Sequence, residues 1–414
     1  MLHPLLVAPL IGLCSFAAAQ DPVVDRVPTQ EEIAAAITKA CALLVANQEN
    51  YAPDRPVGTI RKGLEEWQQK EASRLAGLRA DAASKASEWP YEGVYRVAPD
   101  GRIPAGYRVG GSAIVCSALL YAPGLDDARR QAVLRSVTFM LDMIDDDEGM
   151  APKAQTDYDV RGWGQAYALA FFLQALDASF LSAEDPLRER VTKSIPHLIA
   201  CLEKGQVRGG GWNYAGRSVS PFMTGSTLLA LFHARARGYE VDAEMIDDAL
   251  GALERGRGKS MAYAYSGSLR EGREEPMQGA SARSAIAELV LYRAGRSDLD
   301  NLARAVDAFF REENWKELRV RKSQQGTHVP PYSVAPYYFF YGHTYAALAV
   351  EHLPEADRAA YREKMRELLW RTIEANGGWN DRVFPRTESY STAMAVLALL
   401  APELPPVPEY QSTK

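Results

Sequence analysis

A short run of glycines that ends in tryptophan occurs twice in this chain, and a helix of small and apolar residues follows each copy. The first copy, Gln206-Val-Arg-Gly-Gly-Gly-Trp-Asn-Tyr214, precedes the apolar run at 220–231. The second copy, Gly377-Gly-Trp-Asn-Asp381, precedes the run at 389–399. Such self-similarity is typical of folds made by stacking one supersecondary unit, so it constrains the architecture more than any other feature of the sequence.

Charged amphipathic helices alternate with nearly uncharged helices along the chain. A helix that is apolar on all sides is buried, whereas one with a single apolar stripe faces water on its other side. The unit of about 55 residues recurs about six times, which predicts helical hairpins. They can close into a double ring with the apolar helices inside, or form an open solenoid; their uniform length and the lack of a capping unit favour closure. The amphipathic helices are predicted near 31–47, 126–145, 186–204, 242–255, 297–312 and 355–375, and the apolar ones begin near Gly110, Trp163, Phe222, Gly279, Pro336 and Glu388.

Several segments interrupt or flank this repeat. Residues 5–16 are apolar and precede Ala17-Ala-Ala19, a pattern typical of a secretory signal peptide that is cleaved after Ala19. We therefore expect an exported protein, periplasmic or secreted. Residues 103–111 are punctuated by glycine and proline and predict a loop. The predicted organisation is a signal peptide at 1–19, a lead-in at 20–30, the toroid at 31–402 with an exposed, charged helical insertion at about 54–88, and a C-terminal tail at 403–414.

Composition narrows the classes of partner. The net charge of -6 and the lack of a long basic run argue against a nucleic-acid partner. No apolar stretch approaches the roughly 20 residues of a membrane-spanning helix, so no stable span is expected after signal cleavage. Cys41, Cys116 and Cys201 lie in helical apolar patterns with no C-x-x-C spacing, which favours buried thiols over disulfides or a zinc site. No metal and no cofactor is predicted.

The spacing Gln206-x-x-x-Gly210-x-Trp212 resembles the Q-x-x-x-G-x-W repeat of squalene and oxidosqualene cyclases. Gly378 and Trp379 belong to a run that resembles the related repeat of protein prenyltransferase β-subunits, although Ile373 stands where its glutamine would be. The alternation of helices that accompanies this resemblance extends over residues 30–402. It implies an all-α fold, the (α/α)6 toroid, in which these motif residues are structural. The motif therefore supports the fold much more than a function.

Neither family's catalytic motif is intact. The cyclases resembled here protonate an alkene with an Asp-x-Asp-Asp motif, whereas Asp157-Tyr-Asp159 is followed by Val160 in place of the last aspartate. The prenyltransferases hold zinc with aspartate, cysteine and histidine, but only His343 matches, and zinc needs three or four ligands. His343 is then either a catalytic group or a hydrogen-bonded core histidine. A divergent terpene cyclase that uses Asp157 and Asp159 as acid remains an alternative.

The loops that enter the apolar helices carry a dense set of polar and aromatic side chains at one predicted end of the barrel. Our main hypothesis is a polar-aromatic cavity that binds a small apolar ligand, a glycan or a protein partner. The alternative from another class is a polysaccharide lyase or hydrolase, which needs a basic tyrosine or histidine, an arginine and aromatic sugar platforms. The catalytic candidates are Asp157, Asp159, His343 and Glu388, and the ligand-binding candidates are Tyr107, Arg108, Arg161, Trp163, Tyr214, Arg217, Tyr338, Tyr341, Arg386 and Tyr390.

Overall fold

A computed structural model of the chain describes residues 26–51, 85–92, 103–153, 160–214, 217–269, 273–319, 331–332, 334–335, 337–381 and 385–411. Within these ranges the regular structure is helical, without strands. The helices are α1 (Gln30–Ala46), α2 (Ala105–Tyr121), α3 (Asp127–Asp146), α4 (Arg161–Asp177), α5 (Pro186–Gly205), α6 (Pro221–Ala236), α7 (Ala243–Gly256), α8 (Met277–Arg293), α9 (Leu299–Phe310), α10 (Glu312–Arg319), α11 (Tyr338–Val350), α12 (Glu355–Trp370) and α13 (Pro385–Leu400), with single 3-10 turns at Glu148–Met150 and Ala401–Glu403.

The helices form two concentric rings. The inner ring consists of α2, α4, α6, α8, α11 and α13, each packed on the next, and α13 returns to pack on α2. The outer ring consists of α1, α3, α5, α7, α9 and α12, with the short α10 after α9. Because the last inner helix contacts the first, the ring is closed. The prediction of an α/α toroid is confirmed, and the open solenoid is excluded.

The two rings differ in how their helices begin. Five outer helices start with a side-chain cap, in which Thr29, Asp126, Asp185, Asp242 and Asp298 accept a backbone N–H of the first turn. Such caps satisfy the amide groups that a helix leaves unpaired at its start. No side-chain cap is found at the starts of α2, α4, α6, α8 and α11. These five inner helices therefore begin without a side chain that pairs with their first amide groups.

The tryptophan of the repeat joins each outer helix to the inner helix that follows it. The Trp212 indole N–H donates to the Leu202 carbonyl at the end of α5 (2.8 Å), and its backbone N–H donates to the Thr224 hydroxyl on α6 (3.0 Å). Trp379 makes the same two bonds, to the Leu369 carbonyl (2.9 Å) and to the Thr392 hydroxyl (2.9 Å). Both indole rings are buried. Through these hydrogen bonds the motif holds the turn of a hairpin together.

The other motif residues shape the same turns. Gln206 Nε2 donates to the Gly210 carbonyl (2.9 Å) and to the Met245 carbonyl on α7 (2.8 Å), which links neighbouring hairpins. Gly210 has φ of +96°, and a Cβ there would lie 2.4 Å from the Asp248 carbonyl oxygen, so only glycine fits. Gly378 N–H donates to Asn376 Oδ1 (3.0 Å).

A third copy of the tryptophan arrangement occurs without the glycine motif in the sequence. The Trp89 indole N–H donates to the Leu44 carbonyl of α1 (2.7 Å), and its backbone N–H donates to the Ser112 hydroxyl of α2 (2.9 Å). No glycine run precedes Trp89. The hydrogen bonds are the same because the hairpin geometry is the same, although the local sequence is not.

Two sequence-based boundaries are corrected by the structure. The loop predicted at 103–111 is wrong from Ala105 onward, because α2 begins there. Its glycines serve close packing: a Cβ on Gly110 would meet the Trp163 ring at 2.3 Å, and one on Gly111 would meet the Trp89 carbonyl oxygen at 2.3 Å. The end of the segment predicted as an exposed helix, 85–88, is not helical, and Glu88 is buried and pairs with Glu49 as an isolated bridge.

The remaining expectations concern the cysteines and the chain ends. Cys41, Cys116 and Cys201 are buried and unpaired by disulfides, as predicted. Among the helices described, none has the length and apolarity needed to cross a bilayer. The predicted signal peptide at 1–19 and residues 54–84 of the predicted insertion lie outside the described residues.

Candidate functional site

Four aromatic side chains meet where the inner helices begin, an end of the barrel that we call the mouth. Tyr107 of α2, Trp163 of α4 and Tyr390 of α13 surround Tyr91, which comes from the segment before α2. The ring centroid of Tyr91 lies 4.6 Å from that of Tyr390 and 5.2 Å from that of Tyr107, and Tyr107 lies 5.4 Å from Trp163. These four residues form what we call the platform. Three of them are sequence-predicted ligand-binding residues.

Two buried carboxylates lie beside the platform. Glu92 directly follows Tyr91, and its Oε2 lies 3.9 Å from Nη1 of Arg386. The backbone N–H of Asp381 donates to the hydroxyl of Ser391 (3.1 Å), the residue that follows Tyr390 on α13. The Asp381 charge is among the causes, after burial, that raise the pKa of Tyr390 well above its usual value. The mouth thus holds two acidic side chains near one aromatic surface.

Sequence reasoning did not single out Glu92 or Asp381. The sequence does hold a signal for both residues. Glu92 lies three residues beyond Trp89, and Asp381 lies two residues beyond Trp379 of the hairpin motif. Tyr214 stands in the corresponding place after Trp212 and also lies at the mouth. The motif tryptophan fixes the turn, and the chain just after it passes the start of the inner helices.

Tyrosines from three further segments make the opposite side of the mouth. The Tyr214 hydroxyl bonds to those of Tyr265 and Tyr337, the latter at 2.9 Å, and Tyr337 donates to the Tyr338 hydroxyl (2.8 Å). Tyr338 stacks on Phe222 of α6, with centroids 3.9 Å apart. Burial is the largest cause that raises the pKa values of Tyr337 and Tyr338 well above 10.0. These phenols therefore stay protonated and act as hydrogen-bond donors.

Arg283 of α8 supplies a cation to this side. Its guanidinium lies over the rings of Phe222 and Tyr265, at 6.0 and 5.9 Å from their centroids. Nε donates to the Tyr263 carbonyl (2.8 Å), and Nη2 lies 3.7 Å from Glu275. The side chain is buried, and desolvation, the largest cause, lowers its pKa from 12.5. An arginine held by aromatic faces suits recognition of a planar anionic group.

A pair of tyrosines closes the barrel below the mouth. The hydroxyls of Tyr167 on α4 and Tyr345 on α11 lie 2.9 Å apart. Since α4 and α11 stand three places apart in the six-membered inner ring, this hydrogen bond crosses the barrel. The Tyr341 hydroxyl donates to the Phe222 carbonyl (2.7 Å) just above it. These contacts form a floor to the mouth.

Several sequence-predicted site residues point away from the mouth. Arg108 makes a bidentate pair with Glu88 (2.7 and 2.8 Å) and lies over Phe139 of the outer helix α3. Glu388 accepts the amides of Asn47 (2.9 Å) and Asn376 (2.6 Å) between α1 and α13. Both side chains hold the inner ring to the outer ring.

The three other predicted arginines differ in environment. Arg161 Nη1 donates to the carbonyls of Ala151 (3.1 Å) and Glu148 (3.3 Å), so it braces the turn before α4. Arg217 is exposed. Arg386 Nε pairs with Glu49 Oε1 at 2.7 Å, with both side chains buried, so it holds Glu92 and Glu49 together at the edge of the mouth.

His343 is a core residue. Its Nε2 accepts the Trp315 indole N–H (2.9 Å) and its Nδ1 donates to the Phe339 carbonyl (2.7 Å), so both ring nitrogens are used. The side chain is fully buried, and desolvation lowers its pKa to about 4. This is the hydrogen-bonded core histidine that the sequence left open, and the geometry leaves no ring nitrogen for acid or base chemistry. Asp157 and Asp159 lie outside the described residues. Within the described ranges no three metal-ligating side chains cluster.

No family model and no curated protein sequence matches the chain. Solved structures are similar in fold. Unsaturated glucuronyl hydrolase from Bacillus sp. GL1, responsible for the degradation of glycosaminoglycan, is 13% identical with a TM-score of 0.52, covering 91% of this chain and 98% of that chain. A UGL variant with dGlcA-Glc-Rha-Glc is 14% identical with a TM-score of 0.50, covering 84% and 99%. Both support the α/α toroid, and they do not support the cyclase and prenyltransferase names that the repeat motif suggested.

Proposed function

We propose that the protein is a carbohydrate-active enzyme that hydrolyses a glycosidic bond held at the mouth. The observation that carries this proposal is the platform of Tyr91, Tyr107, Trp163 and Tyr390 with the buried carboxylates Glu92 and Asp381 beside it. Aromatic faces bordered by a few polar groups suit a sugar ring. The similarity in fold to an unsaturated glucuronyl hydrolase adds support for the class.

The two carboxylates supply the groups that glycoside hydrolysis needs. One carboxylic acid protonates the leaving oxygen, while the other carboxylate activates water or attacks the sugar carbon. Arg386 lies between Glu49 and Glu92 and keeps the Glu92 side chain at the edge of the platform. In this proposal Glu92 and Asp381 are the catalytic residues and Arg386 is a positioning residue.

Hydrolysis is favoured over lyase chemistry by the state of the tyrosines. A lyase needs a basic side chain to remove a carbon-bound proton. Burial, the largest cause, raises the pKa values of Tyr338, Tyr341 and Tyr390 well above 10.0, and His343 has no available nitrogen. These phenols are suited to donate hydrogen bonds to sugar hydroxyls.

An acidic sugar fits the charges around the mouth. Arg283 lies among aromatic rings on the side opposite the carboxylates. The inner helices direct their uncapped amino ends to the same place, and the partial positive charge there favours anions. The structurally similar enzyme is an unsaturated glucuronyl hydrolase. Oligosaccharides with an unsaturated glucuronyl end are therefore the first substrates to test.

The test measures cleavage of unsaturated glucuronyl disaccharides and of matched neutral disaccharides by the full-length protein. Glu92→Gln and Asp381→Asn are each expected to lower kcat at least a hundredfold, since general acid or base catalysis contributes about 10²–10⁴-fold. Both variants keep the platform, so saccharide binding, followed by intrinsic tryptophan fluorescence, is expected to persist. Glu363→Gln, an exposed carboxylate on outer helix α12, is the matched control.

The product's anomeric configuration, followed by proton NMR, then distinguishes the two roles of the second carboxylate. The proposal is refuted if the wild-type protein neither cleaves nor binds any saccharide of the panel. It is also refuted if both variants cleave as fast as the control.

The comparisons support this carbohydrate-active alternative better than the main hypothesis of a small apolar ligand, a glycan or a protein partner bound in the polar-aromatic cavity. The cyclase alternative depends on Asp157 and Asp159 and stays a prediction.

A further inference from the structure

A second chamber lies below the floor of tyrosines, at the end of the barrel opposite the mouth. Its volume is 330 Å³, and Tyr167 and Tyr345 form its boundary with the mouth. The last turns of four inner helices, α2, α4, α6 and α13, line its sides together with α11. Pockets of about 300–1,000 Å³ accommodate drug-sized organic molecules, so the chamber is large enough for a ligand.

The C-terminal tail forms the roof of this chamber. Residues 404–408, Leu-Pro-Pro-Val-Pro, lie across the ends of the inner helices. Beyond them Tyr410 stacks on Phe232 of α6, with centroids 5.2 Å apart, and its N–H donates to the Arg293 carbonyl of α8 (3.0 Å). Arg293 also pairs with Glu409 (3.4 Å). The tail is therefore anchored on the far side of the opening and covers it with apolar side chains.

The chamber wall is mostly apolar, and Ser117 and Gln174 form a polar pair on one side. Ile114, Ala170, Leu229 and Leu348 contribute aliphatic surface. Ser117 donates to Oε1 of Gln174 (2.6 Å), and among the described residues no acceptor is bonded to Gln174 Nε2. A half-buried amide N–H at an apolar cavity favours an occupant with an acceptor oxygen.

The charged groups at the rim neutralise one another. Asp177 pairs with His233 Nε2 (2.5 Å) and with Arg237. No charge is thus left unpaired at the edge of the chamber among these three residues. A neutral occupant fits this rim better than an ion, since burying an unpaired charge is costly.

We propose that this chamber is a binding site for a small, neutral, mainly aliphatic molecule with one acceptor oxygen, such as a medium-chain alcohol, ketone or ester. The aliphatic part fills the space between the inner helices, and the oxygen accepts a hydrogen bond from Gln174 Nε2. The site is separate from the mouth because the bond between Tyr167 and Tyr345 lies between them. It does not depend on the proposed hydrolase activity.

The experiment titrates the full-length protein with 1-octanol by isothermal titration calorimetry. The wild-type protein is expected to bind one molecule saturably. Ala170→Phe places a ring in the chamber and is expected to weaken binding at least tenfold. Gln174→Leu removes the donor and keeps the volume, so a loss of about fivefold is expected from one hydrogen bond of about 1 kcal/mol. Ala178→Phe makes the same change as the first variant at an exposed position just beyond α4.

Far-UV circular dichroism checks that each variant is folded, and Gln174→Leu decides the matter if Ala170→Phe does not fold. Binding by Ala178→Phe that equals wild-type binding, together with losses in the other two variants, supports the site. The proposal is overturned if the wild-type protein shows no saturable uptake at millimolar octanol. It is equally overturned if the folded chamber variants bind as the wild-type protein does.

Discussion

The bond between the motif tryptophan and the preceding outer helix makes a quantitative prediction for Trp212→Phe. The Trp212 indole N–H donates to the Leu202 carbonyl in the last turn of α5. The last carbonyls of a helix lack intrahelical partners, and here the Gln206 N–H donates to Glu203 instead of to Leu202. Phenylalanine has no donor to replace the indole, so this buried acceptor loses its partner.

The expected cost has two parts. A buried acceptor left without its donor costs about 1–3 kcal/mol. The smaller ring leaves a void where Trp212 is only 1% exposed, which adds about 1 kcal/mol. We therefore expect Trp212→Phe to lower the free energy of unfolding by about 2–4 kcal/mol.

Urea unfolding followed by helical circular dichroism measures this change, as a shift of the midpoint at an unchanged slope. Trp370→Phe is the matched control. It makes the same substitution at the end of α12, at a half-buried ring for which no indole hydrogen bond is found among the described residues. We expect it to cost less than about 1 kcal/mol, as is usual for substitutions away from buried polar contacts.

The Thr224 hydroxyl, which accepts the Trp212 backbone N–H, provides a second test of the same turn. Thr224→Val removes the acceptor of the Trp212 backbone N–H while keeping the shape of the side chain. Because both bonds hold one turn, the double variant is expected to lose less than the sum of the single losses. Equal midpoints for Trp212→Phe and Trp370→Phe would refute the view that the motif stabilises the hairpin through this hydrogen bond.

Two further predictions concern buried ionisable side chains. Arg386→Met leaves Glu49 buried without its partner and is expected to cost about 3–5 kcal/mol of unfolding free energy. Adding Glu49→Leu to this variant should recover most of that loss. Urea unfolding of the single and the double variant measures the two losses, and equal losses would contradict the prediction. The folded pKa of His343 is about 4 against 6.5 when exposed, so the unfolded chain binds more protons between these values. The stability from neutral His343 is present above about pH 6.5 and lost as the pH falls toward 4, and unfolding of His343→Gln should depend less on pH in that window.

The local features of the fold follow from the sequence because they depend on near neighbours. The amphipathic stripes and aspartate caps of α3, α5, α7 and α9 mark the outer helices, and runs of small apolar residues mark the inner ones. Turn glycines such as Gly210 adopt a positive φ, which favours glycine and makes the turn visible in the sequence. The third tryptophan, Trp89, has no such glycine beside it, so its equivalent role was hidden from a search for the motif.

The candidate site combines residues that the sequence predicted with residues that it did not. The sequence led to the starts of the inner helices, where Tyr107, Trp163 and Tyr390 do lie together. Glu388 and Arg108 stand in the same loops or first turns but face the outer ring. On a helix each residue turns the side-chain direction by about 100°, so which side faces the axis depends on how the helix is packed.

The sequence by itself determined the alternation of helices and their hairpin turns, because periodicity, caps and turn residues act over a few residues. It favoured a closed double ring over an open solenoid, and the packing of α13 on α2 decided between them. Only the tertiary structure decided which side chains meet across the barrel. Tyr167 and Tyr345 are 178 positions apart, yet their hydroxyl bond divides the interior into the mouth and the second chamber. Glu92 and Asp381 likewise become neighbours of one platform only when the ring closes, since the first and last hairpins are joined by packing between α13 and α2.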